Sequence, residues 1–186
     1  QLSEWKDALS ENFVLEPEGR NTAPAIALVA LALVRRDPNA IMLVVPADHI
    51  VKGQRAFDAA VSLAATLAEQ DYLVTFGIQP IRPETGYGYI RPNRNVTLEK
   101  QGTLKGHPVS RFVEKPNAAK AAQYLKAGDY YWNSGMFVWR AATILDEISH
   151  HQPALFRGIE QIGRLIQAGA PRLALDEAYR ALAPVS

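Results

Sequence analysis

The chain of 186 residues contains no cysteine. Disulfides, a thiol nucleophile and a cysteine-ligated metal are therefore excluded, and a reducing compartment fits. Neither sign of charge dominates, with 20 Lys+Arg against 19 Asp+Glu. The basic excess of a protein that binds nucleic acid or a membrane surface is missing. No apolar run reaches the roughly 20 residues that a membrane-spanning helix needs. The longest, Ala23 to Val34, is stopped by Arg35-Arg36-Asp37. The start, Gln1-Leu2-Ser3-Glu4-Trp5, is polar, does not resemble a signal peptide and lacks a methionine. Also absent are a Gly-x-x-x-x-Gly-Lys-Ser/Thr loop, His-Glu-x-x-His, and Gly-x-Ser-x-Gly. No strand pattern is followed by the Gly-x-Gly-x-x-Gly that a dinucleotide-dependent dehydrogenase requires. These absences point to a soluble, cytoplasmic protein with neither nucleic acid nor membrane as partner.

What is present alternates. Short β-branched runs read as strands at Asn12 to Leu15, Ile41 to Val45, Tyr72 to Ile78, Val109 to Val113 and Met136 to Trp139. Between them lie runs with helical spacing. Phe57, Val61, Ala64 and Ala68 form one face of a helix from about Gln54 to Glu69. Asn117 is placed as the N-cap of a helix through Lys126, with Gly128 as its stop. Ala141 to His150, Leu155 to Gln167 and the stretch after Ala170 read as further helices. Strand-helix-strand alternation predicts an α/β fold with a mostly parallel sheet covered by helices. The continuous apolar run Ile41-Met42-Leu43-Val44-Val45 predicts a strand buried on both faces. Prolines and glycines crowd residues 80–106, which predicts a loop and hairpin excursion over the sheet.

Five segments carry polar groups that suit phosphate or sugar chemistry. Pro46-Ala47-Asp48-His49 follows a strand, where ligands of open α/β sheets bind. A carboxylate there suits Mg²⁺, which prefers hard oxygen ligands and keeps waters. The plainer reading is that Asp48 caps the next helix or turn; His49 is given no ligand role. Phe112-Val113-Glu114-Lys115-Pro116 delivers an acid and a base at a strand end. Adjacent strand residues point to opposite faces, but the proline break is expected to let both heads reach one cleft. Lys suits a phosphate and Glu accepts from hydroxyls; the plainer reading is an ordinary surface strand end. In Trp132-Asn133-Ser134-Gly135-Met136-Phe137, Asn and Ser offer donors and acceptors, and glycine permits close backbone approach; the plainer reading is a strand entry with an Asn-Ser-Gly turn. Glu84-Thr85-Gly86-Tyr87-Gly88-Tyr89-Ile90 has two glycines whose backbone can face a ligand; its plainer reading is a hairpin with interleaved tyrosines. Glu16-Pro17-Glu18-Gly19-Arg20-Asn21-Thr22-Ala23-Pro24 opens a helix, with Asn21 or Thr22 as N-cap. Helix capping explains that segment without a ligand.

Taken in order, these segments resemble the sugar nucleotidyltransferase family, and within it the bacterial mannose-1-phosphate guanylyltransferases. The likeness runs from about Glu16 to about Phe156. Glu-Lys-Pro is shared by sugar nucleotidyltransferases generally; Arg-Asn-Thr-Ala-Pro and Glu-Thr-Gly-Tyr-Gly-Tyr point to the mannose branch. The resemblance implies a three-layer Rossmann-like nucleotidyltransferase fold, here incomplete at both ends, in one domain spanning 1–186. It implies GMP transfer from GTP to mannose 1-phosphate with Mg²⁺ as cofactor. Asp48 would hold the metal and act with Lys115 as the catalytic pair. Glu114, Asn133, Gly88, Tyr87 and Ser134 would lie on the sugar side. Glu16, Asn21, Thr22, Pro46 and Ala47 would lie on the nucleotide side.

Two departures stand out. The family's opening glycine-rich loop, with an Arg-Leu-Trp-Pro-type run, is not found here. Nor is its later Ser-Ile-Asp-Tyr-type segment, which supplies a second metal carboxylate. The expectation is a core piece of an active enzyme, with little turnover of its own and an assembly state, homo-oligomeric or not, set by the whole protein. The alternatives are a non-catalytic nucleotide-sugar-binding module of the same fold, or a transferase for another sugar 1-phosphate.

Overall fold

The computed structural model describes residues 14–183. The elements run α1 (Thr22–Arg36), β1 (Ile41–Val44), α2 (Gln54–Ala68), β2 (Val74–Ile78), β3 (Tyr89–Pro92), β4 (Glu99–Gln101), β5 (Leu104–Gly106), β6 (Val109–Val113), α3 (Ala118–Ala127), β7 (Tyr131–Arg140), α4 (Ala141–His151), α5 (Pro153–Gln167) and α6 (Arg172–Arg180). The expected strand at Asn12 to Leu15 lies partly outside the described residues, and Val14 and Leu15 are not in a strand. The described residues fall into two compact units, 14–40 with 141–183, and 41–140.

The first unit is helical. Its core joins Ala27 of α1, Ile148 of α4, Leu155, Ile159 and Ile162 of α5 and Tyr179 of α6. Arg35 and Arg36 close α1, where cations meet the negative helix end. Gly163 lets α1 approach α5: a Cβ there would come within 2.6 Å of Leu31. Arg35 donates to the Gly163 carbonyl at 3.0 Å across the same contact.

The second unit is built around β7. β1 lies along one edge of it, from Ile41↔Arg140 to Val44↔Phe137. β2 lies along the other, from Val74↔Val138 to Ile78↔Trp132. β3 pairs with the start of β7, and β6 with β3. The two short strands β4 and β5 make a separate hairpin. The mixed α/β architecture is thus present, but the expected mostly parallel sheet is not. Every pairing among the described strands is antiparallel. The reason is an insertion. β1, α2 and β2 form the anticipated crossover, and both strands run the same way, but β7 enters between them in the opposite direction. Direction was legible from the alternation; the neighbour was not.

Two further expectations change. β1 is not buried on both faces: Met42 is buried, whereas Leu43 is 42% and Val45 51% exposed. Only one edge of β1 is paired among the described residues. Tyr89–Pro92, read as part of a loop excursion, is an inner strand of the sheet, and the Tyr89 side chain is fully buried. Its terminal proline hid it, since proline donates nothing to a ladder and is confined to edges, strand starts and bulges; Pro92 sits at such a register shift. The β4–β5 hairpin does match the predicted excursion. Asn117 caps α3 by accepting the Lys120 N–H at 3.0 Å, and Gly128 ends that helix at φ 72°. No helix among the described residues is long and apolar enough to cross a membrane.

β2 and β7 meet closely at Gly77. A Cβ there would fall 2.9 Å from Cβ and 3.1 Å from Cγ of Tyr131. Those atoms sit next to the backbone and cannot swing aside. Gly77→Ala is expected to destabilise the protein by about 1–3 kcal/mol, the usual cost of overpacking. A lowered denaturant midpoint with unchanged slope checks it.

Candidate active site

The register of three strands assembles the first part of the site. Tyr89 stands opposite both Val113 of β6 and Trp132 of β7. One step back along β3, Gly88 therefore faces Glu114 on one side and Asn133 on the other. The Asn133 N–H donates to the Gly88 carbonyl at 2.7 Å, which extends the ladder by that step. A Cβ on Gly88 would meet Glu114 Oε2 at 2.9 Å, Phe112 at 3.2 Å and Asn133 Cβ at 3.4 Å. Three residues distant in sequence thus meet closely, and only a residue without a side chain fits at the middle one.

Lys115 follows with φ 41°. A side-chain-bearing residue takes that left-handed conformation at a cost of about 1–3 kcal/mol, and such strain collects at functional sites. Its effect is to undo the strand alternation. The Lys115 ammonium lies 3.8 Å from Glu114 Oε1, and both heads stay largely exposed. Acid and base therefore present themselves together, as the proline break in the sequence suggested. Asn117, two residues on, is committed to capping α3.

β1 ends near the same part of β7. Pro46 Cγ would lie 3.5 Å from a Cβ on Gly135. Ala47 and Asp48 form a turn after it. The Asp48 side chain is 88% exposed, and the His49 ring nitrogen Nε2 lies 4.0 Å from it. Asp48 does not cap the next helix, whose N-cap is Gly53, and it lies in the turn that the plainer reading also allowed. Among the described residues no group of three or more His, Asp or Glu side chains gathers as a metal cage. A single carboxylate open to water nevertheless fits Mg²⁺, which takes one or two carboxylates and fills its octahedron with waters and substrate phosphates.

The loop before β3 is tied in place. The Glu84 carboxylate accepts the N–H groups of Thr85 at 3.0 Å and Gly86 at 3.1 Å, and Arg82 pairs with it at 3.2 Å. The Gly86 N–H, then the Arg82 guanidinium, favour the ionised form and hold this carboxyl below its usual range. The Tyr89 hydroxyl donates to the Glu84 carbonyl at 2.9 Å. Tyr87 stands edge-on to Trp132 with ring centres 5.4 Å apart, and Arg82 lies over the same indole. The loop that brings Gly88 to Glu114 is thereby fixed from both ends.

The strand β7 carries an irregularity at the site. Gly135 takes φ 73°, and the register with β2 slips between Thr75 and Gly77. Ser134, expected on the sugar side, uses its hydroxyl inside this bulge to accept the Met136 N–H at 3.1 Å. The Thr75 hydroxyl reaches across to Asn133 and Met136. Sequence reading passed over Thr75, because one threonine in an apolar strand looks like any β-former. It also passed over Arg82.

Three expected nucleotide-side residues belong to the other unit. Glu16 accepts a hydrogen bond from Tyr179 of α6. Burial and that carboxylate push the Tyr179 hydroxyl well above its usual range. Asn21 holds the N-cap position of α1 at φ 50°, but its side chain does not cap the helix, and Thr22 begins it. Arg20 ties the same segment to α6 by donating to the Arg180 carbonyl at 2.6 Å. A groove of about 810 Å³ between α2, β2 and the β4–β5 hairpin is lined by none of the expected site residues.

An open carboxylate after β1, and a paired Glu and Lys beside a close-packed glycine where β3, β6 and β7 meet, suit a nucleotidyltransferase class of protein. The nucleotidyl transferase family profile matches residues 1–178, and the chain belongs to that family. Xanthan biosynthesis protein XanB of Xanthomonas campestris pv. campestris (strain B100) is 51% identical over 142 residues, 76% of this chain and 29% of the relative. The mannose-1-phosphate guanylyltransferase of Escherichia coli K12 is 46% identical over 171 residues, 91% of this chain and 35% of the relative. The chain thus spans about a third of the length of these curated relatives. A crystal structure from Thermus thermophilus, described as mannose-1-phosphate geranyltransferase, superposes with a TM-score of 0.73 at 35% identity. The match covers 93% of this chain and 47% of that one.

Proposed function

We propose that this protein transfers GMP from GTP to mannose 1-phosphate, giving GDP-mannose and pyrophosphate. The observation that carries the reading is the meeting of Gly88, Glu114 and Asn133, with Lys115 turned onto the same spot. Groups able to bind sugar hydroxyls thus meet beside a bare glycine backbone, with a cation next to them. The relatives named mannose-1-phosphate guanylyltransferase support the choice of sugar and base.

In this reading a phosphate oxygen of the sugar phosphate attacks the α-phosphorus of GTP in line. The new O–P bond forms as the bond to the β-phosphate bridge breaks, and the electron pair leaves with pyrophosphate. No covalent enzyme intermediate is needed; positioning and charge neutralisation carry the rate. Lys115 holds the sugar phosphate and offsets its charge. Glu114 and Asn133 take sugar hydroxyls, and Gly88 lets the ring lie against the backbone. Tyr87 and Ser134 border that place, and Pro46 and Ala47 shape the turn that presents Asp48. Asp48 would hold Mg²⁺, whose charge would offset that of the triphosphate. Glu16, Asn21 and Thr22 are proposed on the guanosine side. The substrates are small molecules, and the compartment is the cytoplasm.

The test is pyrophosphate release by the full-length protein across GTP, ATP and UTP, each with mannose 1-phosphate and glucose 1-phosphate. GTP with mannose 1-phosphate is expected to be fastest. A faster rate with another pair, or release with none, overturns the reading.

A further inference from the structure

Thr75 Oγ1 lies 2.6 Å from the carboxamide oxygen position of Asn133 and 3.0 Å from the carbonyl oxygen of Met136. A hydroxyl has one proton to give and two lone pairs with which to accept. It cannot donate to both neighbours. The Met136 carbonyl can only accept, whereas a carboxamide exchanges its oxygen and nitrogen by a half-turn without changing shape. One arrangement satisfies both contacts. Thr75 donates to Met136, and the Asn133 NH₂ group donates to Thr75. The Asn133 oxygen is then left free of Thr75, and the strand of Gly88 lies along the edge of β7 opposite the strand of Thr75.

We propose that Thr75 is a positioning residue that sets the orientation of Asn133, so that the Asn133 carboxamide oxygen accepts a hydrogen bond from a sugar hydroxyl. The proposal rests on the sugar-binding reading given above. The bulge is what makes it work. In a regular ladder Thr75 would face only Phe137, its register partner. The left-handed turn at Gly135 and the slip after Thr75 fold residues 133–136 back over the hydroxyl. Both neighbours of Thr75 come from the strand that supplies the sugar contact, so the threonine reads the strand's local shape and passes it to one side chain. The selectivity is chemical. A site that presents an acceptor beside the Glu114 carboxylate, also an acceptor, favours a ligand offering two donated hydroxyl protons there.

The experiment uses the full-length enzyme. Thr75→Val keeps the shape and removes the hydroxyl. It is expected to raise KM for mannose 1-phosphate about tenfold and leave KM for GTP within about twofold, while Thr75→Ser restores the parent value. In an Asn133→Ala background Thr75→Val is expected to add nothing, because the two act as one unit. In the parent enzyme, mannose 1-phosphates with fluorine in place of single hydroxyls test the direction of the bond. Fluorine cannot donate, so one analogue is expected to lose about tenfold in KM, and Asn133→Ala removes that difference. An additive cycle, or no analogue that depends on Asn133, overturns the proposal. The fluorinated panel needs no Thr75 variant, so a panel with no Asn133-dependent analogue overturns the proposal even if valine at 75 fails to fold. If Asn133→Ala itself leaves KM for mannose 1-phosphate unchanged, the sugar-site reading fails as well. If Asn133→Ala raises KM and Thr75→Val does not, only the role of Thr75 falls.

Discussion

Lys115→Ala in the full-length enzyme is expected to lower kcat/KM for mannose 1-phosphate at least tenfold, about 1.4 kcal/mol of transition-state stabilisation. The ammonium is largely exposed. Its attraction for a phosphate is therefore well below what a buried pair would give, and the loss stays near the lower end for a charged contact. The backbone adds a sharper test. Lys115 takes φ 41°, a conformation in which glycine is at ease. Lys115→Gly relieves that strain and removes the cation together. It is expected to unfold no earlier than the parent while losing at least as much activity as Lys115→Ala. A lysine kept for stability would behave in the opposite way. Steady-state kinetics and a thermal melt on the same samples separate the two, and an unchanged kcat/KM for both variants removes Lys115 from the proposed role.

Asp48→Asn is expected to have the larger effect, about a hundredfold or more in kcat/KM, or about 2.7 kcal/mol. The amide is nearly the same shape and can still offer one oxygen, but it has lost the charge that makes a carboxylate a good ligand for Mg²⁺. Raising Mg²⁺ is expected to recover part of the activity, because the defect lies in metal affinity. Stability is expected to stay the same. The side chain is 88% exposed and does not cap α2, whose N-cap is Gly53. A variant with parental rate and parental Mg²⁺ dependence would show that the metal sits elsewhere.

Much of the secondary structure was legible because the forces that set it are local. α2 was expected at about Gln54 to Glu69 and runs Gln54–Ala68; β6 was expected and found at Val109–Val113. Asn117 and Gly128 mark α3 because a capping carboxamide and a left-handed glycine act within a single turn. The coming together of Glu114 and Lys115 was also suggested by one local fact, the proline that follows them. β3 was missed because its burial comes from partners far along the chain, β6 and β7, and nothing in Tyr-Ile-Arg-Pro announces them. The exposure of Leu43 and Val45 has the same origin: an apolar strand says that partners are wanted, not which edge receives one.

The sequence alone determined where most helices and strands lie, that strands and helices alternate, and which polar segments stand at strand ends. Each of these depends on residues a few positions apart, through side-chain periodicity, capping and the fixed geometry of proline and glycine. The tertiary structure decided that β7 enters between β1 and β2, that Gly88, Glu114 and Asn133 meet closely, and that Thr75 reaches Asn133. Those outcomes depend on strand register, which is set by how whole faces pack against each other. A one-residue slip would turn every side chain to the opposite face, so no short stretch of sequence contains that information.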